Sequence, residues 1–211
     1  VVVPKRVDFI SLADYLAREE KADCKSEYFA GQLYMMAGGS PNHNRISTDV
    51  VTQLSIQTRG KSCETFNSDQ RLKLPSGLRT YPDAMVICGK IEYDEDDRHA
   101  ITNPALLVEV LSPSTANYDR GEKFEFYREL ASLDEYLTIH QNKFHVEQWY
   151  KRDDGQWVLN ELTKQSDTIT LRSVGIVLSV TQIYERVEWD EEPRRLSRNT
   201  KGDVDTAGEQ K

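Results

Sequence analysis

Apolar positions recur first at helical spacing and then at strand spacing along the chain. Ser11 and Asp14 resemble a capping box, and Leu12, Tyr15 and Leu16 then fall on one face, which predicts a short helix to about Glu20. Lys25 to Ala37 alternates around Ala30-Gly31 and predicts a hairpin carrying Glu27, Tyr28, Leu33 and Met35. Ser40-Pro41 supplies an N-cap with proline at the first helical position. Ile46, Val50, Val51 and Leu54 continue at helical spacing, with Gly60 as the stop.

From Cys63 onward the pattern turns to strands, predicted at Cys63–Asn67, Gln70–Leu74, Tyr81–Ile87 and Ala105–Leu111, with a turn at Pro75-Ser76-Gly77. The acidic stretch Glu92–Arg98 reads as an exposed loop. Ser112-Pro113-Ser114-Thr115 ends the last of these strands, and a helix follows from about Tyr118 to Leu130 with Phe124, Tyr127 and Leu130 facing inward. Further strands are predicted at Tyr136–His140, Phe144–Lys151 and Trp157–Leu162, with turns at Asn142-Lys143 and Asp153-Asp154-Gly155. This order predicts an α/β (α+β) sheet domain. One domain is expected over residues 1–188, followed by a polar, disordered tail over 189–211.

One residue breaks the pattern. Pro104-Ala105-Leu106-Leu107-Val108-Glu109-Val110-Leu111 has the composition of a strand buried on both faces, yet it contains Glu109. An unpartnered carboxylate in an apolar core costs several kcal/mol or neutralises itself, so a buried acid implies a cation. A second acid, Asp83, precedes the apolar run Ala84-Met85-Val86-Ile87. Two acids on neighbouring core strands suit Mg²⁺, which is commonly held by one or two carboxylates with waters and substrate phosphate completing its shell. The alternatives are a turn role for Asp83 after Pro82 and a buried ion pair with arginine for Glu109.

Composition narrows the setting. The formal net charge over 211 residues is −8, so contact with nucleic acid needs a local basic patch or a metal. Three widely spaced cysteines, Cys24, Cys63 and Cys88, argue against a disulfide framework and for a reducing, cytoplasmic compartment. No apolar stretch approaches the roughly 18 to 20 residues of a membrane span.

Pro82-Asp83 followed by Glu109 in an apolar strand resembles the PD-(D/E)XK nuclease superfamily. The segments Gly31-Gln32-Leu33-Tyr34-Met35-Met36-Ala37-Gly38, Val108-Glu109-Val110-Leu111-Ser112-Pro113-Ser114-Thr115, Asp119-Arg120-Gly121-Glu122-Lys123 and Ser132-Leu133-Asp134-Glu135-Tyr136-Leu137 resemble, more narrowly, the bacterial Uma-two family of restriction-endonuclease-like proteins. The resemblance runs from about Asp8 to Val187. It implies a mixed central sheet flanked by helices, and DNA phosphodiester hydrolysis with Mg²⁺ (or Mn²⁺) held by Asp83 and Glu109. The superfamily lysine normally lies two residues after the acid, where this chain has Leu111, and the resemblance passes its role to Lys123 on the next helix. It also implies Glu27 as a third metal ligand, and Gln141, Ser112 and Asp119 as supporting residues around the site. The plain readings are a solvated helix residue for Lys123, an exposed hairpin residue for Glu27 and a turn for Gln141 beside Asn142.

His43 lies near a helix start, where the family often has a histidine; His140 and His145 flank a turn without helical metal spacing. Surface or turn positions are expected for all of them. Arg71, Lys73 and Arg79 are candidate contacts to DNA phosphates, as are Arg194, Arg195, Arg198 and Lys201 in the tail. Rival readings are a non-catalytic nuclease-fold module that binds nucleic acid or protein, and a phosphohydrolase acting on nucleotides. Double-stranded DNA is the expected partner, and a homodimer the expected assembly from resemblance and base rate.

Overall fold

A computed structural model describes residues 9–189. The N-terminal helix α1 (Leu12–Glu19) begins where Ser11 Oγ accepts a hydrogen bond from the Asp14 amide. It leads into the hairpin β1 (Ser26–Phe29) and β2 (Gln32–Met35). Ala30 and Gly31 both adopt positive φ (49° and 81°), the two-residue turn whose twist matches antiparallel strands. Helix α2 (Pro41–Thr58) is capped by Ser40 and buries Ile46, Val50, Leu54 and Thr58 at four-residue spacing. Gly60, at φ 76°, turns the chain out of it.

The strand-rich centre comprises β3 (Cys63–Asn67), β4 (Arg71–Lys73), β5 (Arg79–Thr80), β6 (Ala84–Cys88), β7 (Ala100–Ile101) and β8 (Leu106–Leu111). The expected single helix after β8 is two, α3 (Ala116–Arg120) and α4 (Glu122–Tyr127), separated by Gly121 at φ −105° and ψ −106°. Phe124, Tyr127 and Leu130 are buried. β9 (Glu135–His140), β10 (Val146–Lys151) and β11 (Trp157–Leu162) follow. A hairpin not anticipated in the sequence, β12 (Thr168–Leu171) and β13 (Ile176–Ser179), then runs into the short helix α5 (Val180–Ile183).

A six-stranded sheet of order β11-β10-β9-β8-β6-β3 forms the middle layer, parallel only between β8 and β9. Alternation divides its side chains between two cores. Val86, Leu106, Val108, Val110, Leu137 and Ile139 pack with Ile46, Val50 and Leu54 of α2 and with Ile169, Leu171, Ile176 and Leu178 of the last hairpin. Met85, Ile87, Leu107 and Tyr136 face Phe124 and Tyr127 of α4 and Leu72 of the second sheet, whose order is β2-β1-β5-β4-β7. Every residue of β8, Glu109 included, is buried. Among the described residues no helix is long and apolar enough to cross a membrane.

Two expectations need correction. Cys63 and Cys88 form a disulfide, because they are directly opposed on the antiparallel pair β3–β6, a proximity hidden by their separation of 25 residues in sequence. Cys24 is free and exposed. The acidic stretch after β6 is not simply an exposed loop: Asp97 is buried against Arg71, and the half-buried Asp94 pairs with Arg79.

Candidate active site

The register pairing Ala84 with Val108 sets Asp83 opposite Glu109 across β6 and β8, on the face that looks toward α3 and α4. Asp83 Oδ2 accepts the Val110 amide at 2.7 Å, so the neighbouring strand's backbone orients one acid beside the other. Ser47 Oγ lies 3.4 Å from Asp83 Oδ1, and His43 Nε2 lies 3.3 Å from Asp83 Oδ2, both reaching over from α2. His43 is therefore a partner of Asp83 and not the surface residue expected. Burial works against protonating it, but the Asp83 carboxylate, aided by Glu109, prevails and lifts the imidazole above its ordinary value.

Glu109 Oε1 accepts Tyr127 Oη at 2.6 Å and lies 2.8 Å from Lys123 Nζ. The same ammonium stands 3.1 Å from Glu27 Oε1 and 3.7 Å from Asp119 Oδ1. Three carboxylates thus surround one cation, and the Tyr118 and Tyr127 rings lie 5.8 Å from it. Burial disfavours the ammonium, yet Glu109, Glu27 and Asp119 together hold it well above its ordinary value. A single positive charge does not offset every acid. Burial pushes the Glu109 carboxyl up to about 8, restrained by Lys123 and reinforced by Asp119 and Asp83. Asp119 is raised too, first by burial, with Lys123 opposing.

Local chain geometry explains this convergence. Asp119, Lys123 and Tyr127 recur every four residues, and the bend at Gly121 keeps the first two within ion-pair reach. Glu27 is buried on β1, where Thr80 Oγ1 also donates to it, so it is not an exposed hairpin residue. Lys123 stands between Glu27 and Glu109, which makes Glu27 a partner of the lysine. Leu111, at the usual lysine position, is buried. Gln141 accepts Ser40 Oγ at 2.6 Å and ties the end of β9 to the cap of α2. Ser112 turns the chain after β8 through contacts to Ser114 and Thr115 and does not reach the carboxylates. Sequence reading did not identify the roles of Tyr127, Thr80 and Ser47. The spacing Asp119–Lys123–Tyr127 was the available signal for the first. Tyr127→Phe is expected to cost about 1–3 kcal/mol in urea denaturation, because it removes a donor from a buried acid.

Asp83 and Glu109 lie opposite one another across β6 and β8, and Tyr127 and Lys123 both engage Oε1 of Glu109. Carboxylate oxygens are the donor type that a hard divalent cation takes.

A family model described as "Putative restriction endonuclease" (Uma2) matches residues 12–181. The chain belongs to the Uma2 family. Two relatives from Synechocystis sp. (strain ATCC 27184 / PCC 6803 / Kazusa), the proteins sll1609 and slr1290, are each 39% identical to it. The first match spans 170 residues, 80% of this chain and 96% of the relative; the second spans 176 residues, 83% and 91%. The fold matches a crystal structure described as "a putative nuclease belonging to DUF820" from Anabaena variabilis ATCC 29413, with a TM-score of 0.67 and 17% identity, covering 83% of this chain and 98% of that one. The Uma2 chain therefore has a restriction-endonuclease-like mixed α+β fold.

The remaining candidates of this Uma2 chain lie elsewhere. Arg71 Nη1 contacts Asp97 at 2.5 Å, Arg79 Nη2 contacts Asp94 at 2.7 Å, and Lys73 lies 3.6 Å from Asp94. The two guanidinium groups are nearly fully buried, so they serve an internal ion network in place of the expected phosphate track. Arg194, Arg195, Arg198 and Lys201 fall outside the described residues. His140 and His145 stack at 4.8 Å with rings 7° apart and adjoin Glu147, an arrangement that the helical-spacing test could not detect. Burial, with Arg120 next, holds the His140 imidazole down at about 4.

Proposed function

We propose that this Uma2 protein is a metal-dependent endodeoxyribonuclease whose centre is Asp83, Glu109 and Lys123. The observation that carries the reading is the placement of Lys123 Nζ 2.8 Å from Glu109, on the acid whose strand neighbour is Asp83. Asp83 and Glu109 would hold Mg²⁺ or Mn²⁺, with Glu27 and Asp119 keeping the lysine charged and in place. The bound ion would polarise a phosphoryl oxygen and make a water acidic enough to attack. Lys123 offers a fixed positive charge toward the charge that develops on phosphate. Tyr127 and the Val110 amide hold the two ligands in single orientations. His43 Nε2 faces Asp83 Oδ2, whose charge favours the protonated ring. Double-stranded DNA is the proposed substrate, and a twofold dimer would bring two such centres to opposite strands.

A second reading, a module that binds without cutting, is favoured by one observation. Arg71 and Arg79, two of the residues expected to meet DNA phosphates, are consumed by internal acids. Supercoiled plasmid, single-stranded DNA and nucleoside triphosphates incubated with the protein and Mg²⁺ or Mn²⁺ separate the readings. The nuclease reading expects DNA cleavage that EDTA stops. Retention of DNA without cleavage would support the binding module, and hydrolysis of nucleotides alone would support a phosphohydrolase.

The metal affinity carries a pH signature. With its carboxyl raised to about 8, Glu109 must release a proton to ligate a cation. Protonated His43 competes for Asp83 in the same direction. Mn²⁺ affinity measured by calorimetry is expected to rise roughly tenfold per pH unit below about 8 and to level off above it.

A further inference from the structure

On the sheet face shared with Glu109, a second group of metal-ligating side chains comes together from three strands. Register creates it. His140, at the end of β9, donates its amide to the His145 carbonyl across the β9–β10 turn, and the two rings stack. Glu147 lies two residues beyond His145, on the same face of β10, and is paired in register with Glu161 of β11. One ligand atom each from His140, His145 and Glu147 lies within 4.8 Å of the others. His145 Nε2 is 3.9 Å from Glu147 Oε1 and 2.9 Å from Glu161 Oε1.

We propose that His140, His145 and Glu147, with Glu161 as the fourth ligand, form a binding site for a borderline-soft divalent metal of the Zn²⁺ class. Two imidazoles with carboxylate oxygens are a donor set that zinc accepts and that Mg²⁺ does not favour. Tetrahedral ligands at zinc stand roughly 3.3 Å apart, so His140, His145 and Glu147 need to close by at most about 1.5 Å. Glu147 and Glu161 are like charges set directly opposite on adjacent strands, an arrangement that is unfavourable until a cation lies between them. A cation already occupies part of this position. Arg120 Nε contacts both Glu147 oxygens at 3.0 and 2.8 Å, while its Nη2 meets His140 Nε2. A guanidinium only donates, so the lone pair of His140 points at it and becomes available when it leaves. The Arg120 side chain is 31% exposed and has a route to solvent. Arg120 is thus the resident cation that the metal displaces, and the occupied site clamps β9, β10 and β11 together.

The site does not depend on Asp83 or on nuclease activity. Zn²⁺ titrated calorimetrically into the full chain is expected to show saturable binding that is lost in His140→Gln/His145→Gln and kept in Asp83→Asn. Arg120→Ala is expected to tighten it about tenfold by removing the competing cation. Co²⁺ in place of Zn²⁺ should give a tetrahedral visible spectrum that the same histidine variants abolish. Absence of Zn²⁺ binding in the wild-type chain, or binding unaltered in the histidine variants, overturns the proposal. Weaker binding in Arg120→Ala does so too. Thermal unfolding without metal separates lost binding from lost fold; if the double variant unfolds, His145→Gln and Arg120→Ala carry the test.

Discussion

Lys123→Met is expected to destabilise the metal-free fold by about 3–5 kcal/mol, the usual cost of removing one partner from a buried charge cluster. Lys123 is 4% exposed and is the cation shared by Glu109, Glu27 and Asp119, so its removal strands acids that water does not reach. The loss depends on pH in a determined direction. Glu109 already binds its proton more tightly in the folded chain than an ordinary carboxylate does, and losing Lys123 strengthens that hold. A carboxyl whose folded pKa is raised contributes most below its unfolded value, roughly 4.3, and loses that contribution as pH rises through the folded value. The variant should therefore approach wild-type stability near pH 5 and fall furthest behind above about 8. Urea denaturation at both pH values measures the difference. A variant as stable as wild type at high pH would mean that the acids are not charged around Lys123.

The pair Asp83–Glu109 was legible in sequence because a lone acid in an apolar strand is costly and a second acid stood at the head of another such strand. Hairpin β1–β2 and helix α2 were legible for local reasons, namely Ala30-Gly31 and Ser40-Pro41. What escaped depended on register or on long-range packing. The Cys63–Cys88 bond, the stacked His140 and His145, and the engagement of Arg71 and Arg79 by Asp97 and Asp94 all arise from residues brought opposite one another by strand pairing or folding back. Hairpin β12–β13 also escaped, since its alternating burial over four-residue strands is a weak signal until α2 supplies the surface it covers.

Glu109→Gln is expected to abolish metal-supported cleavage while leaving the fold as stable as wild type or more so. The amide keeps the side chain's shape but removes a buried charge site that burial, Asp119 and Asp83 oppose and Lys123 favours, with opposition prevailing. As a ligand, however, it is poor for a hard cation. Loss of cleavage by about 100-fold or more is expected, since even residues behind the ligands cost 10–100-fold when changed. Activity falling together with the unfolding temperature would instead indicate a structural role for this acid.

Single-turnover cleavage of a supercoiled plasmid by wild type and by Asp83→Asn, at equal and saturating Mn²⁺, tests the central claim most directly. Asp83 lies at the edge of β6, and its replacement by asparagine retains an oxygen that can accept the Val110 amide hydrogen bond, so the fold is expected to persist. Nicked and linear plasmid are expected with wild type, none in EDTA, and none with Asp83→Asn. Cleavage by wild type in EDTA, or equal cleavage by both proteins, would contradict that claim.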